Sequence, residues 1–171
     1  MSEQIEQGIN SKVRNRAQSQ RYLNFSLGGE DYAMPLPAVK EVIAFPEITP
    51  VPYTPTHFLG IMNLRGQVIS VIDLRLKFGI KAESTAETAV IICDLAQHSL
   101  GMVVSSINSV LALDESDISP KPEIHSSKNT DYILGVAKKD KKLVLLLDIA
   151  KALSVEEHAA ISKAAGMKKA A

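Results

Sequence analysis

The sequence has one cysteine and no tryptophan, and neither charge sign is in excess. A lone thiol, Cys93, can form neither an internal disulfide nor a multi-cysteine zinc site, and it fits a reducing compartment, so cytoplasm is the expected location. Lys plus Arg and Asp plus Glu both total 19, which removes any general attraction for phosphate backbones or anionic lipid. The longest apolar runs, such as Leu143 to Leu147, are far too short to span a bilayer, and Met1 to Gln20 lacks the apolar stretch of a signal peptide. Neither membrane insertion nor export is therefore expected, and Asn24-Phe25-Ser26 reads as strand despite matching a glycosylation sequon. What remains is 171 residues with 46% hydrophobic content, enough for a core without staples.

Catalytic patterns are also missing. His57, His98, His125 and His158 are scattered and form no H-E-x-x-H pair. No nucleophile elbow, phosphate loop or dinucleotide-binding turn occurs. Cys93 follows Val90-Ile91-Ile92, so it is expected as a core thiol and not as a nucleophile. The chain is read as a non-enzyme without cofactor or metal. Four Phe and four Tyr are too few and too dispersed to suggest a nucleic-acid groove, and the run Lys138-Lys139-Asp140-Lys141-Lys142 reads as a soluble hairpin turn.

Strict alternation of Leu23, Phe25 and Leu27 before Gly28-Gly29 predicts a hairpin whose second arm runs from Asp31 to Leu36. Pro37 followed by Val39, Val42 and Ile43 predicts one or two helical turns before Pro46. Strands are expected at Leu59 to Leu64 and Gln67 to Leu74, a short helix from Arg75 to Phe78, and a connector from Ile80 to Glu87. The tail from Ile149 to Ala165 sets Leu153 and Ile161 among alanines with Glu156-Glu157 opposite, which predicts an amphipathic helix packed on the second barrel.

Much of this pattern then returns. Leu23, Phe25, Leu27 and Met34 correspond to Ile91, Cys93, Leu95 and Met102, and Val39, Val42 and Ile43 to Ile107, Val110 and Leu111, all 68 residues later. After insertions the offset is 75, where Leu59-Gly60-Ile61 meets Leu134-Gly135-Val136 and Asp73-Leu74 meets Asp148-Ile149. The expected fold is therefore mainly β: two five-stranded SH3/OB-like barrels from a tandem duplication, with short helices and a C-terminal helix. Its boundaries are a polar, flexible segment 1–20, a domain 21–153 with repeats at about 21–79 and 88–152, and a helix and tail at 154–171. Whether each barrel uses contiguous chain is left open.

Features present in both copies serve the fold, whereas those in one copy invite another explanation. Asp73 and Asp148 each end a strand before a helical segment and are expected to cap it. Glu41 and Arg65 have Ser109 and Asp140 as counterparts, so only the first copy carries this charge pair. An arginine held by a carboxylate beside apolar strands is suited to binding a partner.

The run Phe58-Leu59-Gly60-Ile61-Met62-Asn63-Leu64-Arg65-Gly66-Gln67-Val68-Ile69-Ser70-Val71-Ile72-Asp73-Leu74-Arg75, with Val39-Lys40-Glu41-Val42-Ile43 before it and Leu134-Gly135-Val136 after it, closely resembles the CheW family of chemotaxis coupling proteins. The resemblance extends over about Arg21 to Leu153. It implies two barrels flanking a groove and an adaptor joining methyl-accepting chemoreceptors to a CheA-type histidine kinase. It further implies receptor contacts at Val39, Glu41, Arg65, Ile107 and Val110, kinase contacts at Ala44, Phe45 and Ile48, and a ring contact at Glu123 and Ile124. Such a protein is monomeric when isolated and is recruited from the cytoplasm into membrane-associated arrays. The alternatives are an adaptor of another chemosensory pathway, governing pili or gene expression, and, more distantly, a barrel binding nucleic acid or a small ligand.

Overall fold

The computed structural model describes residues 19–95, 98–121 and 131–166. The first hairpin pairs β1 (Gln20–Leu27) with β2 (Glu30–Pro35) around Gly28 and Gly29, both with positive φ as a two-residue turn requires. A 3-10 turn over Leu36–Ala38 leads into β3 (Val39–Ala44), and β4 (Phe58–Leu64) and β5 (Gln67–Asp73) form the next hairpin. Helix α1 (Leu74–Lys77) follows, and the second half opens with β6 (Ala89–Leu95) and β7 (His98–Val104). Strands β8 (Ser106–Leu113), β9 (Ile118–Ser119), β10 (Ile133–Lys139) and β11 (Lys142–Leu147) complete the β structure, before helices α2 (Ile149–Ala152) and α3 (Val155–Gly166).

The strands form two sheets, ordered β8-β1-β2-β11-β10-β9 and β3-β6-β7-β5-β4. Each sheet therefore takes the first hairpin of one repeat and the remaining strands of the other. In each sheet one seam between the repeats is antiparallel, β1 with β8 and β3 with β6, and the other is parallel, with Leu145 opposite Tyr32 in one sheet and Val71 opposite Gly101 in the other. The repeats exchange strands, which settles what the sequence left open.

Three apolar clusters follow from the alternation of side chains along the strands. Tyr22, Ala33, Leu111, Leu113, Ala137, Val144 and Leu146 fill one cluster, with Ile118 beside them, so every strand of the six-stranded sheet faces it. Met62, Ile69, Val71, Val90, Ile92 and Val103, with Ile43 and Leu64, do the same for the five-stranded sheet. A sheet whose strands all point into one cluster must curl around it. The largest cluster lies between the sheets and includes Phe25, Leu27 and Met34 from one and Ile72, Ile91 and Met102 from the other. Phe25, Tyr32, Phe78 and Tyr132 stack in sequence along this junction, with ring centroids 6.3, 6.3 and 5.6 Å apart.

The duplication is visible in small details of geometry. Thr49 exchanges backbone hydrogen bonds with Ile61, and Ser119 pairs with Val136 at the corresponding place. A Cβ on Gly60 would sit 2.0 Å from the Thr49 carbonyl oxygen, and one on Gly135 would sit 2.8 Å from that of Ser119, which explains why both copies keep glycine. Asp73 and Asp148 cap the helices that follow them, accepting from the Arg75 and Lys151 amides.

Two expectations are corrected. The helix read over Val39, Val42 and Ile43 is strand β3, because a bulge at Lys40 imitates helical spacing. Val39 and Val42 stand opposite Cys93 and Ile91, which share a face, so the inserted residue turns a spacing of two into three. The C-terminal helix is not continuous from Ile149 but breaks at Leu153 and Ser154 into α2 and α3. Leu153 and Ile161 are buried, α3 packs against β5 and β7, in the five-stranded sheet, and Glu157 is buried and does not face solvent. Ser154 accepts from the Glu157 amide and Glu157 accepts from the Ser154 amide, closing a capping box that turns this carboxylate inward.

Candidate functional site

The β4–β5 tip is built from Asn63-Leu64-Arg65-Gly66. Arg65 and Gly66 have φ of 50° and 83°, and the Asn63 side chain accepts from the Gly66 amide at 2.8 Å, which holds the turn. Glu41 lies on β3 and not on a helix, and it meets this tip. The two Arg65 terminal nitrogens donate to the two Glu41 oxygens at 2.6 and 2.9 Å. The paired guanidinium holds the Glu41 carboxyl below the ordinary carboxylate range. Arg65 remains 71% exposed and Glu41 24%, so the fork is fixed while its outer face stays open to a partner.

This ion pair also has a topological position. Strands β3 and β4 are the two edges of the five-stranded sheet, so the pair ties one edge to the hairpin at the other. At the corresponding place in the six-stranded sheet stand Ser109 and Asp140, which form no such pair.

The other residues expected at a groove are distributed around the junction. Val39 on β3 and Ile107 on β8 both pack against the inter-sheet core, each half-buried on an edge strand of its own sheet. Val110 is exposed, as is its repeat counterpart Val42, and each stands opposite a buried residue of the inter-sheet cluster, Leu23 and Ile91 respectively. Contact is seen between Glu41 and Arg65, whereas Ile107 and Val110 lie on the opposite sheet. Of the residues expected to face a kinase, Ala44 and Phe45 are exposed, while Ile48 leans on the core of the five-stranded sheet. Glu123 and Ile124 lie outside the described residues.

Cys93 is buried in the inter-sheet core, and desolvation pushes its thiol up to about 12, which leaves it without thiolate character near neutrality. No helix among the described residues is long and apolar enough to cross a membrane.

Two charged clusters escaped the sequence reading. Arg75, only 2% exposed, donates to both Asp73 oxygens at 3.0 and 2.9 Å and to the Glu83 carbonyl at 2.8 Å. Glu157 accepts from Lys77 at 2.7 and 2.9 Å and is hydrogen-bonded to His57. Burial alone would raise its carboxyl, but Lys77, the Ser154 amide and His57 together hold it below the ordinary range. Ser154-Val155-Glu156-Glu157 spells a capping box, so that part was available in the sequence.

Taken together, these features define a class: a double-sheet scaffold that presents an exposed arginine, held by a carboxylate, on a clasped hairpin. A CheW-like domain model matches residues 21–157. The chemotaxis protein CheW of Klebsiella aerogenes is 35% identical over 156 residues, covering 91% of this chain and 94% of that protein. Protein FrzA of Myxococcus xanthus is 26% identical over 148 residues, covering 84% and 91%. The crystal structure of the scaffolding protein TtCheW from Thermoanaerobacter tengcongensis superposes with a TM-score of 0.74 at 32% identity, covering 81% of this chain and 95% of that one. The chain belongs to the CheW family.

Proposed function

We propose that this chain is a chemotaxis adaptor that couples the cytoplasmic tip of chemoreceptors to a CheA-type histidine kinase, without a covalent step of its own. The carrying observation is the Glu41–Arg65 pair at an exposed tip, on a chain that matches the CheW-like domain throughout residues 21–157. A receptor helix lays its apolar side against Val39, Ile107 and Val110 while Arg65, oriented by Glu41, contacts polar groups at its edge. Ala44, Phe45 and Ile48 face the kinase, and Glu123 and Ile124 close a ring with a neighbouring kinase domain. Signal passes as a change in packing whose size is the difference in contact energy between the two signalling states. Each contact can be weak, because membrane-associated arrays raise the effective concentration of its partners.

The test is a pull-down from cells of the source organism with the intact chain and with Arg65→Glu as baits, quantified by mass spectrometry. The intact bait is expected to recover chemoreceptors and a CheA-type kinase. The variant should lose receptors at least about tenfold, as hot-spot arginines do, and keep the kinase. Recovery of neither partner by a folded intact bait overturns the reading.

A further inference from the structure

By the internal repeat, the counterpart of the Arg65 tip is the β10–β11 turn, Lys138-Lys139-Asp140-Lys141-Lys142. The two tips have the same backbone but different chemistry. Asp140 and Lys141 have φ of 47° and 65°, like Arg65 and Gly66, but here neither central residue is glycine. A left-handed lysine is disfavoured where Asp-Gly would sit without strain. Lys139 and Lys142 are direct cross-strand partners, so two like charges face each other. All five side chains are exposed, and none of them has an ion-pair partner among the described residues. The edge-strand carboxylate that occupies the first tip is replaced by Ser109.

This turn gives up local stability in three ways: a strained lysine, an opposed like-charge pair, and an excess of positive charge on a chain of zero net charge. An external anionic partner relieves the last two. Beside it Leu143, opposite Lys138, is 63% exposed and offers an apolar contact. We propose that the β10–β11 tip is a docking element for a protein partner whose surface carries aspartate and glutamate side chains around a central basic residue. The central base follows from Asp140. A uniformly anionic bilayer or phosphate backbone answers the lysines but sets like charge against the apex carboxylate, whereas a protein surface can match both signs. Lysine ammoniums, as hydrated point charges, suit steering and register more than rigid bidentate grip.

This inference stands apart from the adaptor reading, and its test keeps the two separate. The full chain carrying Leu143→p-benzoylphenylalanine is expressed in cells of the source organism and irradiated, and the adducts are mapped by peptide mass spectrometry. The expected adduct lies on a protein segment with several acidic residues around a lysine or arginine. It should fall at least tenfold when Lys138, Lys139, Lys141 and Lys142 are changed to glutamine, and also with Asp140→Lys, which sets the apex against the partner's base. All of these positions are exposed, and unchanged melting by circular dichroism confirms the fold of each variant. Adducts on lipid, on nucleic acid or on a segment without acidic residues, adducts unaffected by the glutamine changes, or no adduct would each overturn the proposal. A parallel chain with Val110→p-benzoylphenylalanine reports on the receptor groove, so loss of that adduct alone counts against the adaptor reading only.

Discussion

At the scale of single residues, the arginines divide the labour. Arg65 is exposed and held by one carboxylate, whereas Arg75 is buried with every nitrogen hydrogen-bonded to Asp73 or to the Glu83 carbonyl. Both occur in one copy of the repeat only, since Arg75 has Ala150 as its counterpart. A feature confined to one copy therefore need not serve a partner. Arg75 serves the fold, fastening α1 and the connector near Glu83, and nothing in a charged residue's identity announces that it is buried. Arg75→Leu is expected to cost about 3–5 kcal/mol by stranding the Asp73 carboxylate. The pairing with Asp73→Asn should then be less than additive. Urea unfolding of the two single variants and the double variant measures both effects, and a cost below about 1 kcal/mol would show that water replaces the arginine.

At the scale of elements, hairpins were legible because alternation and glycine turns are local signals, as in Leu23, Phe25 and Leu27 before Gly28-Gly29. Strand β3 was not, because its bulge lies at Lys40, an ordinary residue with no mark of its own. The C-terminal helical segment was legible through Leu153, just before α3, and Ile161 within it, yet the anchor of α3 was not: Glu157 gathers Lys77 and His57, and His57 is 100 residues away along the chain. That anchor makes a pH prediction. The Glu157 carboxyl is held below its unfolded value, so its contribution is complete above the ordinary carboxylate range and is lost as pH falls through the lower folded value. Amide exchange in α3 should accelerate on acidification below about pH 4 before exchange in β6 or β7 does. Glu157→Gln should raise exchange at neutral pH, with a cost of about 1–3 kcal/mol, and flatten the acid response. Equal exchange of α3 in both proteins at all pH values would mean that the ion cluster does not anchor the helix.

At the scale of the molecule, the exchange of hairpins dominates. The duplication was readable from offsets, but the partner sheet of each hairpin was not, because β1 and β6 carry equivalent apolar faces and local pattern cannot distinguish their sites. Since β1 lies between β2 and β8, and β2 against β11, the first hairpin is completed only by strands of the second half. Fragments 1–83 and 84–171 are therefore expected to be unfolded alone and to regain β structure when mixed, followed by circular dichroism. Independent folding of either fragment would show that the exchanged ladders are dispensable. Folding of the intact chain should take milliseconds to seconds, as long-range pairing dictates.

The same exchange suggests a lineage. Each repeat lends a hairpin and receives one, which is the relation between protomers of a strand-swapped homodimer, here joined end to end in a single chain. In a true homodimer any change at one tip appears at both, because one gene specifies both protomers. Fusion lifted that constraint, so an arginine at position 65 and an aspartate among lysines at position 140 can coexist in one particle, giving a pseudo-symmetric body two unlike ends.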